Sequence, residues 1–257
     1  MGVITTAAIL LRSFNYSETS KVLRFFTRDH GVMGVMAKGT RKSHGRYGGS
    51  IGTFVTGELT AYVRTTRDLQ TLKEFSATRP RRSLAGHVLR FAGASMIAEV
   101  ALEHSGEGPA PEVFDGLNQA LDAIEEADEA DLWGTLLREA WGLVATLGYH
   151  PVLDPCVRCG RALEAGEMGR FDFGSGGIRC ANCSDDESGP RLGPNARRHL
   201  RQMLDRDSSL QVTHARAHLR LLSNFVTYHL SGSRPLHTFR FLSDVLGPDD
   251  AEALERM

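Results

Sequence analysis

Val22-Leu23-Arg24-Phe25-Phe26-Thr27, then Arg28-Asp29-His30-Gly31, then Val32-Met33-Gly34-Val35-Met36-Ala37-Lys38: two apolar runs rich in β-branched and aromatic residues flank a short polar break. The runs read as strands, and Gly31 supplies the positive φ that a tight hairpin needs. Upstream, Val3–Leu11 is a third apolar run. Downstream, Phe54–Val63 puts Val55, Leu59, Ala61 and Val63 on one face and Thr56, Glu58 and Thr60 on the other, the period of two of a half-buried strand. Leu69–Phe75 follows a turn near Thr66-Arg67-Asp68. Five strands in this span suit a small closed barrel of the OB-fold type. The helix that often bridges strands three and four of such barrels is not evident. Residues 39–52 are Gly-rich and basic instead and are expected to form a mobile loop.

After Arg79-Pro80-Arg81-Arg82 the period becomes helical. Leu84, Val88, Phe91, Ala98 and Leu102 form one stripe, and Val113, Leu117, Leu121 and Ile124 another. Residues 132–147 are apolar nearly all round, which predicts a helix buried in a bundle core. Residues 152–192 read as irregular and hold all four cysteines, and helices are expected near 194–206 and 214–230, with Gly232 as the C-cap of the second. The expectation is an α+β multidomain chain. Residues 1–80 form a five-stranded OB-fold barrel, and residues 81–257 form a helical domain with a zinc-binding insertion at 152–192.

The chain has 257 residues and a net charge of −1. That average hides a division: residues 1–82 hold 14 Lys+Arg against 5 Asp+Glu, a net of +9, and the remainder carries −10. A strongly basic part in a neutral chain points to a polyanionic partner. The stretch 103–131, with ten Asp/Glu and no Lys/Arg, reads as a solvated helix face. No segment approaches the roughly 20 uninterrupted apolar residues of a membrane span, and the N-terminus lacks signal-peptide features. A cytoplasmic, nucleoid-associated location with no membrane partner is expected.

The cysteines follow the pattern Cys156-x2-Cys159, 20 intervening residues, Cys180-x2-Cys183. Two such knuckles can complete an all-sulfur tetrahedral shell, the geometry of a structural zinc ion with no open position for water. Disulfides are disfavoured in a cytoplasmic chain, and a lone redox pair needs no second knuckle. Gly174, Gly176 and Gly177 allow the connecting ribbon to turn back.

The segment from Lys38 to Tyr47 gathers Lys38, Arg41, Lys42 and Arg46 with His44 and Tyr47. Lys21, Arg24, Arg28, Arg64 and Arg67 could add to the same side. Repeated cations suit a chain of phosphates, whose binding gains from counterion release. Tyr47, Phe14 and Tyr16 are candidates to stack on unpaired bases. There is no GxxxxGK[ST] loop and no HExxH, so no nucleotide cofactor is expected. Gly48-Gly49-Ser50-Ile51-Gly52 matches GxSxG by letters only, because a basic loop precedes it and a strand follows. His214 and His218, four apart on a helix, read as surface or packing residues. The chain is expected not to be an enzyme.

Several segments resemble the bacterial DNA repair and recombination family RecO: Tyr16-Ser17-Glu18-Thr19-Ser20, Phe26-Thr27-Arg28-Asp29-His30-Gly31, Ala37-Lys38-Gly39-Thr40-Arg41-Lys42, Asp68-Leu69-Gln70-Thr71-Leu72, Leu147-Gly148-Tyr149 and Phe171-Asp172. They run in order over nearly the whole chain. The resemblance implies an N-terminal OB-fold, a helical C-terminal domain and a four-cysteine zinc site. It also implies binding of single- and double-stranded DNA, annealing of complementary strands, and work with RecR and single-stranded DNA-binding protein to load a recombinase. By the same resemblance Lys38, Arg41 and Lys42 are the leading DNA contacts. The alternative is a zinc-ribbon RNA-binding or transcription accessory factor, which shares the barrel and the knuckles.

Overall fold

In the computed structural model, residues 2–39, 52–104, 108–184, 188–232 and 234–246 are described. Strands β1 (Gly2–Asn15), β2 (Lys21–Thr27), β3 (Gly31–Ala37), β4 (Thr56–Val63) and β5 (Leu69–Arg79) close a barrel in the order β1-β2-β3-β5-β4. All neighbours are antiparallel except β3 and β5. Strand β1 serves two partners: its first half pairs with β4 and its second with β2. A register shift between Leu10 and Arg12 marks a bulge, and Ile9, Leu10 and Leu11 are all buried there. The broken alternation explains why β1 continues past its expected end at Leu11. Gly31 closes the β2–β3 hairpin at φ 63°.

Alternation sends Ala8, Leu10, Leu23, Phe25, Val35, Leu59, Leu72 and Phe75 into the barrel, where the Phe25 and Phe75 rings lie 5.0 Å apart. Phe26 and its register partner Ile9 face outward, yet both are fully buried. Helix α3 (Pro111–Glu126) covers that side. Asp115 of α3 holds Arg28 through two bonds of 2.5 and 2.9 Å, and Asn118 accepts from Thr56 at 2.6 Å. Helix α1 (Arg82–Gly86) and helix α2 (Val88–His104) lie between β5 and α3 in the chain. Val88 and Phe91, expected on the buried stripe, are exposed, although Phe91 meets the Phe54 ring edge-on at 5.5 Å. The buried part of α2 is Ala92, Ala94, Met96, Ile97, Ala98, Val100 and Ala101, which keeps Ala98 of the expected stripe and adds residues on other faces.

Strand gives way to helix between Arg79 and Arg82, but the chain divides into compact units between Glu125 and Glu126. The difference has a physical cause in the bonds that tie α3 to the barrel.

The second unit contains α4 (Leu132–Thr146), a three-stranded sheet, α5 (Pro194–Leu204), α6 (Ala215–His229) and α7 (His237–Val245). Helix α4 is buried nearly all round, as its composition predicts, and its one buried acid, Glu139, pairs with Arg138 and Arg206. The sheet corrects the irregular reading of residues 152–192. Strands β6 (Gly169–Asp172), β7 (Gly177–Arg179) and β8 (Arg191–Leu192) pair in the order β7-β6-β8. Phe171 of β6 packs on Phe225 of α6 at 5.8 Å, and Phe225 packs on Trp141 of α4 at 5.2 Å. Helix α7 carries only Phe239 and Leu242 as buried apolar residues, too few to make a clear periodic signal in the sequence. No helix among the described residues is long and apolar enough to cross a membrane.

Candidate nucleic-acid face and metal centre

The cysteine cluster is built by the β6–β7 hairpin. Strand β7 ends at Arg179, so Cys180 leaves the sheet directly beside the first knuckle. The Cys180 N–H donates to the Cys156 Sγ at 3.3 Å. Each knuckle closes on itself: the Gly160 N–H reaches the Cys156 carbonyl at 2.9 Å, and the Cys183 N–H reaches the Cys180 carbonyl at 3.0 Å. Gly160 stands at φ 72°, a conformation that favours glycine.

The four sulfurs all lie within 4.8 Å of one another, and none is in a disulfide. The Cys159 and Cys180 sulfurs are 3.8 Å apart. A tetrahedron with metal–sulfur bonds of about 2.3 Å has edges of about 3.8 Å, so the donor set fits a thiophilic ion. Burial pushes the Cys156 thiol up, but the N–H groups of Cys180, Cys159 and Arg158 outweigh it and bring it down to about 6. Cys183, crowded by Cys159 and then by its own burial, is pushed up to about 12. A divalent cation held by the four sulfurs would take the place of thiol protons.

Around the cluster, Arg161 bonds Glu167 at 2.5 Å. Glu167 also accepts the N–H groups of Ala181 and Glu164, both at 3.1 Å. The Arg161 guanidinium, followed by the Ala181 N–H, holds the Glu167 carboxyl down at about 2. Four protein sulfurs could by themselves complete a tetrahedral shell around an ion.

The basic candidates lie in the first unit, and the structure separates them. Register pairing across β1, β2, β3 and β5 aligns Arg12, Arg24, Gly34 and Leu69 in one row, with Phe14, Val22, Met36 and Thr71 in the next. Both rows have the outward parity of the sheet. The Arg24 guanidinium lies across Gly34, within 3.8 Å of where a Cβ would stand. Lys38 follows β3 and is exposed. It lines, with Met36, Arg67, Leu69 and Thr71, a groove of about 460 Å³ between the end of β3 and the β4–β5 turn.

That turn is held by Gln70, whose Oε1 accepts the Arg64 N–H at 2.8 Å and whose Nε2 donates to the carbonyls of Arg64 and Arg67. Arg24, Lys38 and Arg67 are thus brought to one side. Arg64 is exposed at the start of the same turn. Lys21 pairs with Ala37, a core residue, and so has the inward parity at the barrel mouth, apart from the others. Arg28 is engaged by Asp115 and lies over the Phe114 ring at 5.7 Å. Arg41, Lys42, Arg46, Tyr47 and all of the GxSxG letters but Gly52 lie outside the described residues.

Sequence reasoning missed Arg12, because the apolar run that marks β1 stops at Leu11. The Arg12-Ser13-Phe14 alternation is the signal that could have found it. His218 is fully buried and neither ring nitrogen has a hydrogen-bond partner among the described residues, while His214 is exposed at the start of α6.

Comparison with known proteins agrees with this architecture. The family description "Recombination protein O N terminal" matches residues 1–81, and "Recombination protein O C terminal" matches residues 85–237. A protein of Rubrobacter xylanophilus named DNA repair protein RecO is 34% identical over 188 residues, covering 72% of this chain and 73% of its own. A protein of the same name from Anaeromyxobacter sp. strain K is 31% identical over 258 residues, covering 96% and 98%. A third, from Bacillus pumilus, is 32% identical over 203 residues, covering 77% and 76%. The chain belongs to the recombination protein O (RecO) family of DNA repair proteins.

Proposed function

We propose that the protein is a DNA-binding recombination mediator that acts without catalysing a reaction. The barrel binds single- and double-stranded DNA through the side that carries Arg24, Lys38 and Arg67. Arg64, Lys21, Arg41, Lys42 and Arg46 are further candidate DNA contacts. The observation that carries this reading is the gathering of Arg24, Lys38 and Arg67 on one side of a closed barrel. None of Arg12, Arg24, Lys38 and Arg67 makes an ion pair among the described residues. Neutralising the phosphates of two strands lowers their mutual repulsion, so complementary strands anneal without nucleotide hydrolysis.

The four cysteines hold one zinc ion, which closes a loop with little core of its own. In this reading, as the family resemblance implies, the protein works with RecR and single-stranded DNA-binding protein to load a recombinase onto coated strands. The test is annealing of two complementary oligonucleotides in the absence of any nucleotide. Wild type accelerates it, and Lys38→Ala/Arg41→Ala/Lys42→Ala does not. A requirement for ATP, or equal acceleration by the variant, contradicts the proposal.

A further inference from the structure

The cationic side of the barrel is not uniformly polar. Phe14 is 46% exposed on the outer face of β1, and the Arg12 guanidinium lies over its ring, 5.6 Å from the centroid. Phe14 is in register with Val22, Met36 and Thr71, so an apolar strip crosses the sheet beside the row of Arg12 and Arg24. Lys38 stands at the far end of that strip. Arg12 and Arg24 are direct cross-strand partners. Like charges placed opposite one another destabilise a sheet, and no acid among the described residues bridges this pair. The acids Glu58 and Glu74 are on β4 and β5, where they pair with Ala7, Ser76 and Thr60 and stand away from this face.

An exposed ring with the Arg12 guanidinium over it and Arg24 in the neighbouring row, its guanidinium across Gly34, offers what a nucleotide with its base free needs: an aromatic face for the base and cations along the path of the phosphates. A duplex offers the phosphates but keeps its bases stacked on one another.

From this arrangement we infer that Phe14 is a stacking platform for one unpaired base, with Arg12 and Arg24 holding the adjoining phosphates, and that it makes this face prefer single strands to duplex. The inference rests on the proposed DNA binding and adds a residue that distinguishes the two forms. The occupant is a single-stranded nucleic acid.

The test uses the full chain and two probes of equal length, a single strand carrying 2-aminopurine and the corresponding duplex. Phe14→Leu keeps an apolar side chain on an exposed strand end. The expected result is about a tenfold loss of single-strand affinity, loss of the 2-aminopurine fluorescence change on binding, and unchanged duplex affinity. Phe14→Trp restores both single-strand signals. Equal single-strand affinity for wild type and Phe14→Leu overturns the platform and leaves DNA binding standing. Equal losses on both probes overturn the discrimination. Failure of the wild type to bind either probe overturns the DNA-binding reading together with the platform.

Discussion

Arg81 has the left-handed backbone of φ 39° and ψ 56°, and a side chain with no solvent exposure. Its guanidinium donates to Asp122 Oδ1 at 2.7 Å, to the Phe54 carbonyl at 2.9 Å, to Thr56 Oγ1 at 2.8 Å and to Asn118 Oδ1 at 2.9 Å. One residue therefore joins the barrel to α3. Replacing it leaves buried acceptors without their donor and removes one of the two guanidiniums that pair with Asp122, so Arg81→Met is expected to lower unfolding free energy by about 3–5 kcal/mol in urea titration. A loss under about 1 kcal/mol contradicts this role. In the sequence, Arg81 reads only as one of a basic run at the strand-to-helix boundary, since burial of a guanidinium depends on acceptors far away along the chain.

His218 makes a different prediction at the same scale. Burial first, then the neighbouring His199 and His214, lowers its pKa to about 3; Arg198 adds positive charge beside His199. The folded state holds His218 neutral while the unfolded chain protonates it near pH 6.5. Stability is therefore full above that pH and falls as pH drops from about 6.5 towards 3. The loss between pH 7 and pH 5 is about 2 kcal/mol. His218→Leu is expected to flatten the pH dependence of chemical denaturation by that amount. An unchanged slope contradicts the buried neutral imidazole.

Among the elements, those with a long regular period were legible and those defined by a few residues were not. Strands β2 to β4 and helix α4 follow from patterns sustained over several turns or pleats. The cysteine knuckles were legible for a different reason: ligand spacing is a local property, and each pair reaches one ion within four residues. The sheet that surrounds the second knuckle in the chain was not legible, since strands of four, three and two residues have no measurable alternation. Its stability comes from outside, through Phe171 against Phe225 and from the cysteine cluster at its end. Removing the ion with a chelator is expected to cost at least about tenfold in amide-exchange protection across residues 152–192. Exchange in β1 to β5 is expected to be unchanged. Equal loss in both units, or no loss at all, contradicts a structural ion.

At the scale of the whole molecule, the sequence's charge division was real but overstated as free charge. Three of the 14 cations before residue 83, Arg28, Arg79 and Arg81, are taken up by Asp115 and Asp122 of α3. The acidic stretch is thus more than a solvated face: part of it pairs with cations of the barrel, and what remains is the side that carries Arg12, Arg24, Lys38 and Arg67, none of them in an ion pair among the described residues. The same bonds hold α3 in the barrel's compact unit, which ends at Glu125.

The central claim is that this remaining side binds the phosphate chain, and its most direct test is fluorescence anisotropy of a labelled single-stranded oligonucleotide across a salt series. Wild type is predicted to bind with an affinity that falls steeply with salt. Lys38→Ala/Arg41→Ala/Lys42→Ala is predicted to bind more weakly, with the slope of log K against log salt shallower by about 2, at about 0.7 for each phosphate that the variant leaves unneutralised. Absence of wild-type binding even at low salt, or a variant with the same affinity and slope, contradicts the claim.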